Sequence, residues 1–584
     1  MIIQTFGNLY VFKGKYYNKT MKKHLLLVVI ITLSTSAFCI NTDTLKLQRM
    51  NTLSQAWGLM AIYTPFTEQE ALEYFTILTE EIERIDTSIN HERAFNFSIE
   101  RIYEYSNTKH RINLDSVSNI DSYELMHKDL FKWTSNNLLS PKYQRIFNNI
   151  IDKGYIEEDY ISPFVNVSST LAQINDPNYG ALLKKYIIND KYDALGVYIY
   201  FWNISNYFSP FPVSGKNIDS LFYKYSSEFL SIDSLIIQNY SYLMFQACSD
   251  QKDSHLTTAI VYYPSRLSKY MSLSIKDTIA TIKEVSPTFA KDYNLIKGDR
   301  IISFNNLSVS NRIHTYEKYV RASNQTLTNY RIARKLLIIN RKDSVINIEI
   351  SRNDSLINRS INYNTITAEP IIKDKFPDKF KIINDSVVYI NVGKINDNEF
   401  TNYLKKSKQY NNIVFDCREY PLKLEFTGKW VNYLLSDNRL YVNYQSIVNS
   451  KPGFTFSENY DVTLNSIHKV KPHKVKRFCK NKSFYLISSE QTQSKGESTL
   501  LYLKTLTNGN IIGRNTAGVT STVLNIKLPY SINITMSVKK TFDNNNVLIS
   551  GAGILPDIPI EEDINDYNKI IEIIKLAKCL KREI

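Results

Sequence analysis

Hydrophobic spacing along the chain changes character twice. Between residues 45 and 250 apolar positions recur at helical intervals, and Thr67–Ile85, Leu182–Tyr207 and Asp219–Ser249 are the expected helices. Two phrases there echo each other. Trp57-Gly58 is followed by Tyr63-Thr64-Pro65, and Trp202-Asn203 by Tyr207-Phe208-Ser209-Pro210. Each is an aromatic helix end running into a proline, and each reads as repeated core packing. From 270 to 360 the apolar runs shorten to strand length, at Ile279–Val285, Asp299–Phe304, Lys335–Ile339 and Ser344–Ile350. From 380 to 560 the two kinds alternate. Strands are expected at Val387–Val392, Ile413–Asp416, Phe484–Ile487, Ile511–Gly513 and Asn533–Lys539. Helices are expected at Asp397–Lys408, Leu424–Leu435 and Ser494–Leu506. Such alternation predicts an α/β layer architecture. An amphipathic helix, Asp566–Leu580, closes the chain.

Within the alternating region, Ser483–Leu506 is the stretch with chemical promise. A buried-strand pattern runs into a polar turn, and the turn into a helix whose apolar face is Leu500, Leu501, Leu503 and Leu506. Ser494 lies at the junction, in T-Q-S-K-G-E. A serine there projects its hydroxyl from the end of a sheet, where the first helix amides face a forming oxyanion. The same spacing also fits a helix N-cap at Ser494 with Glu497 closing a capping box. Local pattern leaves both readings open.

Composition narrows the classes. The chain has 584 residues, enough for two to four domains, with ordinary hydrophobic (43%) and charged (22%) content. The net charge of +14 raises nucleic acid as a partner. Its densest cluster, His468–Lys480, lacks an aromatic platform or a nucleic-acid motif and reads as a solvated loop, so no nucleic-acid partner is expected. Near the N-terminus, Met21-Lys22-Lys23, the apolar run Leu25–Leu33 and Ser34–Cys39 form a signal peptide starting at Met21, with cleavage after Cys39. Phe38 is bulky where a lipobox wants a small residue, which disfavours lipidation at Cys39. The expectation is an exported protein, periplasmic or outer-membrane-associated, with at most peripheral membrane association. Cys248, Cys417, Cys479 and Cys579 lack metal-ligand spacing, and no metal or other cofactor is expected.

Two resemblances give the pattern a function. The phrase Thr281–Leu307, with Ser286-Pro287 before a short helix and Gly298-Asp299 opening a strand that ends in Asn305-Asn306, resembles a PDZ domain. That resemblance implies capture of an extended peptide by strand addition. Four later phrases come in order: Ile413–Arg418, Thr492–Glu497, Ile511–Gly518 and Gly553–Ile558. With the PDZ-like segment they resemble the tail-specific, or C-terminal-processing, serine peptidases, over roughly residues 50–565. One branch of that family places a lysine after its T-A-G phrase. Val519 stands there, which closes that route. The other branch, similar to the tricorn core and retinoid-binding-protein-like members, uses a histidine in a D-x-H-T phrase, here Asp253-Ser254-His255-Leu256-Thr257. The resemblance implies a multidomain α/β protein with a helical N-terminal region (40–265), a PDZ-like β-rich domain (266–362) and a crotonase-like ββα catalytic core (363–584), after an N-terminal segment of 1–39. It implies Ser494 as nucleophile, His255 as base and Ser254 orienting the imidazole, with the Lys495 and Leu422 amides as oxyanion donors. The substrate would be a polypeptide.

Three departures bear on activity. No glycine follows Arg418, where Glu419-Tyr420-Pro421-Leu422-Lys423 stands. Ser550 occupies a position where the branch places a glutamate, and Lys495 replaces a small residue beside the nucleophile. The lysine cation either lowers the serine pKa or obstructs the site. Besides an active endopeptidase, these departures allow a catalytically weak or inactive relative that binds peptides, or a carrier of apolar ligands.

Overall fold

The computed structural model describes residues 44–580, except 111, 113, 115–122, 127–128, 155–187, 212–217, 233–242, 245, 249, 252, 254, 259–266, 318–319, 321, 339–344, 372–375, 426–430, 435–440, 449–450, 462–477, 530–531 and 544. The signal-peptide stretch, the basic cluster up to Arg477 and Ser254 therefore lie outside the described residues.

The first third is helical: α1 (44–63), α2 (Glu68–Thr87), α3 (His91–Lys109), α4 (Pro141–Lys153), α5 (Lys191–Phe208) and α6 (Ile218–Leu230). Local chemistry sets their starts. Thr67 and Glu70 form a reciprocal capping box on α2, and Asp190 accepts the amides of Tyr192 and Asp193 at the head of α5. The helix expected from Leu182 thus begins at Lys191, and the one expected to reach Ser249 stops at Leu230. Both aromatic phrases do end helices, at 63 and at Phe208.

The echo has a packing reason. α1 and α5 cross where Gly58 meets Asn203, and a Cβ on Gly58 would run into the Asn203 side chain. Asn203 cannot retreat freely, since its amide donates to Ile199 O at 2.9 Å and to Ser54 O at 3.1 Å, all in the core. Gly58→Ala is therefore expected to lower stability by about 2–4 kcal/mol, through overpacking and broken buried hydrogen bonds. Thermal unfolding checks this, and an unchanged melting temperature would rule out the tight crossing.

The middle segment is an antiparallel sheet, β3-β4-β5-β7-β8, with β6 paired to β5. Its strands are β3 (Met271–Lys276), β4 (Ile279–Val285), β5 (Arg300–Phe304), β6 (Leu307–Ser308), β7 (Val345–Arg352) and β8 (Ser355–Asn362). Helices α7 (Pro287–Tyr293), α8 (Val309–Glu317) and α9 (Gln325–Leu336) pack on it. Of the strand expected at Lys335–Ile339, Lys335 and Leu336 instead end α9, which starts at an Asn324 cap and buries Ile332, Ala333 and Leu336, and Ile339 lies outside the described residues. An apolar run of strand length does not separate a buried helix end from a strand.

The last third holds a six-stranded sheet ordered β19-β15-β14-β11-β10-β9. Its members are β9 (Phe380–Asn384), β10 (Val387–Asn391), β11 (Asn412–Asp416), β14 (Ser483–Ser488), β15 (Asn510–Gly513) and β19 (Ile558–Pro559). The run from β10 to β19 is parallel. Strand alternation assigns the two faces. Val388, Ile390, Ile413, Phe415, Phe484 and Leu486 face α10 (Asp397–Lys406) and α11 (Lys495–Thr507). Val387, Tyr389, Val414, Tyr485 and Ile487 face α12 (Tyr567–Leu580). This is the layered α/β core that the alternation predicts. Of the helix expected at Leu424–Leu435, Val431–Leu434 is helical and Leu424 is not.

Two small sheets complete the fold. β12 (Tyr441–Ile447) and β13 (Phe454–Asp461) lie between β1 (Glu124–Leu125) and β18 (Lys539–Phe542). The hairpin β16 (Val523–Leu528) and β17 (Ile532–Ser537) pairs with β2 (Thr257–Thr258). The strand expected at Asn533–Lys539 thus divides at Val538. Leu524, Ile526, Leu528, Ile534 and Met536 belong to the same buried cluster as the N-terminal helices. The hairpin therefore ties that region to the core. Among the described residues no helix is long and apolar enough to cross a membrane.

Candidate active site

Parallel strands send their following loops to one edge of the sheet, where α/β proteins place their ligands. Here the loops after β11, β14 and β15 meet. Thr492 Oγ1, in the turn after β14, donates to Cys417 O at 3.0 Å, just past β11, and Ala517 N, after β15, donates to Thr492 O at 2.9 Å.

Ser494 stands at the head of α11 with φ 51° and ψ −119°. A side chain rarely adopts this conformation, which costs about 1–3 kcal/mol and persists only where surroundings enforce it. Glu497, one turn on, supplies the enforcement. Its carboxylate accepts the Ser494 amide at 3.1 Å, Thr516 Oγ1 at 2.5 Å, the Gly518 amide at 2.6 Å and the Val519 amide at 2.8 Å. Ser494 thus stands half-buried at the capping position, and Glu497 also clamps the T-A-G loop onto this turn. Burial pushes the Glu497 carboxyl up to about 7, against the pull of these donors. Gly518, at φ 70°, packs against the backbone of Gly551–Gly553 so closely that a Cβ would meet Gly553 N at 2.8 Å.

The first amide of α11, on Lys495, has no acceptor within the helix and faces the nucleophile end. Leu422 N–H, in contrast, donates to Tyr420 O at 2.9 Å, so the second expected oxyanion donor is engaged in its own turn. Pro421 of that turn lies against Gly496, 3.8 Å from where a Cβ would stand. The Asp416-x-Arg418 phrase is an anchor. Arg418 donates to both Asp416 oxygens, at 2.9 and 2.6 Å, and Tyr389 donates to Asp416 Oδ2 at 2.8 Å, all beneath the loop. Arg418 holds the buried Asp416 carboxyl below its usual range, overriding the upward push of burial.

His255 is set by β2, in the three-stranded sheet. It lies just before the two residues that pair with β17, Thr257↔Thr535 and Thr258↔Ile534. Its Nδ1 lies 2.9 Å from Ser537 Oγ, its N–H donates to Asp253 Oδ1 at 2.9 Å, and its carbonyl accepts Thr535 Oγ1. The residues that follow Thr516-Ala517-Gly518 hold the far end of β17. Val538 N donates to Thr522 O at 3.1 Å, and Lys539 N to Ser521 Oγ at 3.1 Å. Ser550 is committed elsewhere: it donates to Thr520 O at 2.6 Å and accepts the Thr541 amide at 2.9 Å. It braces the T-A-G loop. Asp253 and Ser537 carried no assigned role in the sequence. Asp253 was within reach, inside the D-x-H phrase, whereas Ser537 lies 282 residues from His255 and is joined to it only by β2–β17 pairing.

Residues 386–560 match the sequence profile of Peptidase family S41. The chain carries a peptidase family S41 domain. That domain is of the serine-type peptidase class, a hydrolase class, as the four ordered phrases led us to expect. The matched span holds Ser494 and Glu497 together with the T-A-G loop and β17. Solved structures similar to this chain include mature CPAF complexed with lactacystin, at 11% identity and TM-score 0.48, covering 68% of this chain and 99% of that one. The photosystem II D1 C-terminal processing protease is similar at 12% identity and TM-score 0.33, covering 63% and 93%. The tricorn protease is similar at 15% identity and TM-score 0.30, covering 66% and 37%. No curated protein matches the chain.

Proposed function

We propose that this protein is an exported serine endopeptidase that hydrolyses peptide bonds in unstructured or C-terminal polypeptide segments, with Ser494 as nucleophile and His255 as general base. The observation that carries this reading is the conformation of Ser494. A strained, half-buried serine at a strand-to-helix turn, clamped by a buried glutamate, has no packing purpose that glycine would not serve at lower cost.

The chemistry is acyl transfer. His255 accepts the Ser494 proton as Oγ attacks the carbonyl carbon, and the tetrahedral oxyanion forms against Lys495 N–H. His255 then delivers the proton to the departing amine. Water, deprotonated by the same imidazole, releases the acyl group and regenerates Ser494. In this reading residues 266–362 form a PDZ-like domain, with β3 as the sheet edge to which an extended peptide adds, and the signal peptide exports the chain from Met21.

A weak or inactive peptide-binding relative is the second reading, and the engaged Leu422 amide favours it, because one oxyanion donor must then act without its neighbour. Casein hydrolysis by the mature protein, together with labelling by a fluorophosphonate mapped to Ser494 by mass spectrometry, separates the two. The peptidase reading expects cleavage and a label on Ser494, both lost in His255→Ala. A folded parent that neither cleaves nor labels would leave peptide binding as the function.

A further inference from the structure

The carboxylate that supports the catalytic histidine is absent from the position where the family resemblance leads one to look for it. Ser550 stands there, with its hydroxyl given to Thr520 O. A different carboxylate lies beside the ring. Asp253 is fully buried, and both its oxygens are occupied by donors. Oδ1 accepts His255 N–H at 2.9 Å and Ser537 Oγ at 2.6 Å, and Oδ2 accepts Ser537 N–H at 2.6 Å.

The number of protons available fixes the tautomer of the ring. An ionised carboxylate only accepts hydrogen bonds, and a serine hydroxyl has one proton to give. The Ser537 proton therefore points to Asp253, and the face of Ser537 Oγ that meets His255 Nδ1 at 2.9 Å offers only a lone pair. Nδ1 must then carry the hydrogen, which leaves Nε2 as the basic nitrogen. The backbone holds the same residue at two further points, His255 N–H to Asp253 and His255 O from Thr535 Oγ1.

We infer that Asp253, acting through the Ser537 hydroxyl, is the positioning carboxylate of this site: it sets the tautomer of His255 and faces the imidazolium that forms when the Ser494 proton reaches Nε2. The assignment rests on the serine–histidine reading above. No proton travels along the relay. The Nδ1 hydrogen stays on His255 and the hydroxyl hydrogen stays between Ser537 and Asp253, while the buried charge, one hydroxyl away, stabilises the cation. The device replaces the missing glutamate with a residue two positions before the histidine and a strand serine from the far end of the chain.

The test combines a spectroscopic readout with a kinetic one, on the full mature protein. Selective 15N-histidine NMR, with His255 assigned by loss of its signals in His255→Ala, reads which ring nitrogen is protonated in the neutral form. The rate of fluorophosphonate labelling reads Ser494 activation. The expected parent state is Nδ1–H with an unprotonated Nε2. Ser537→Ala is expected to mix the tautomers and slow labelling about 10- to 100-fold, and Asp253→Asn to slow it about 100-fold or more, as wrong-tautomer variants of other serine hydrolases do. Ser537→Thr, which keeps the hydroxyl, is expected to restore both readouts to near the parent. Ser537→Ala removes one oxygen from a buried strand, so it decides the matter even where Asp253→Asn fails to fold. An Nε2–H parent, or a folded Ser537→Ala protein with the parental tautomer and rate, overturns the relay while leaving the peptidase reading intact. An Nδ1–H parent that never labels supports the relay and removes the peptidase reading.

Discussion

Ser494→Gly is expected to abolish hydrolysis and, at the same time, to make the protein more stable. Loss of the only attacking oxygen should lower casein cleavage by at least about 10⁴-fold, since removing the nucleophile of a serine peptidase leaves only the contribution of binding and oxyanion stabilisation. Stability should move the other way. At φ 51° and ψ −119° the serine Cβ is crowded, at a cost of about 1–3 kcal/mol, whereas glycine tolerates positive φ and surrenders only about 0.5–1 kcal/mol of extra chain entropy. The balance is a gain of about 1 kcal/mol. Ser494→Ala is the control: it removes the same oxygen, keeps the Cβ and therefore keeps the strain. Thermal unfolding of the pair isolates the backbone contribution. A glycine variant that melts below the alanine variant would show that the turn holds no strain, and would remove the observation on which the nucleophile assignment stands.

The strain explains why the sequence alone left Ser494 with two readings. T-Q-S-K-G-E encodes a cap and a nucleophile turn equally well, because both need a small hydroxyl residue before a helix and a glutamate three residues on. What divides them is a dihedral angle imposed from outside the segment, by the hold of Glu497 on Gly518 and Val519. Features written into local spacing were legible: the parallel strands from Val387 to Gly513, the helix starts at Glu68, Asp397 and Lys495, and the Ser286-Pro287 cap of α7. Features that depend on distant pairing were not. Ser537 meets His255 only because a two-residue strand, Thr257–Thr258, adds to a hairpin far along the chain, and such a bridge has no periodic signature. Lys335–Ile339 failed for a third reason. Leu336 is buried, but on a helix face begun well upstream, at Asn324. Asn324 also donates to Thr516 O at 2.8 Å, so the same cap that ends the strand interpretation fastens α9 to the T-A-G loop.

Glu497→Gln is expected to separate stability from activity across pH. Burial raises the Glu497 carboxyl from its usual 4.5 to about 7, so between those values the folded protein holds a proton that the unfolded chain has released. By linkage, stability falls as pH rises from about 4.5 to about 7, by about 3 kcal/mol, and is flat on either side. Activity runs in the opposite direction over the same window, because only the ionised carboxylate can accept all four donors that fasten the Ser494 amide to the T-A-G loop. A glutamine cannot replace it. Whichever way the amide is turned, its NH₂ meets a backbone N–H, of Gly518 on one side or of Ser494 and Val519 on the other, and a buried donor is left unsatisfied at about 1–3 kcal/mol. The variant should therefore lose about 100-fold or more in cleavage at pH 8 and should lack the parental slope of stability against pH. Subtracting its melting curve from that of the parent cancels every other titrating group and leaves Glu497 alone. Equal slopes in the two proteins would show that the carboxylate is ionised throughout, held by its donors in spite of burial. The site would then be rigid at acid pH too.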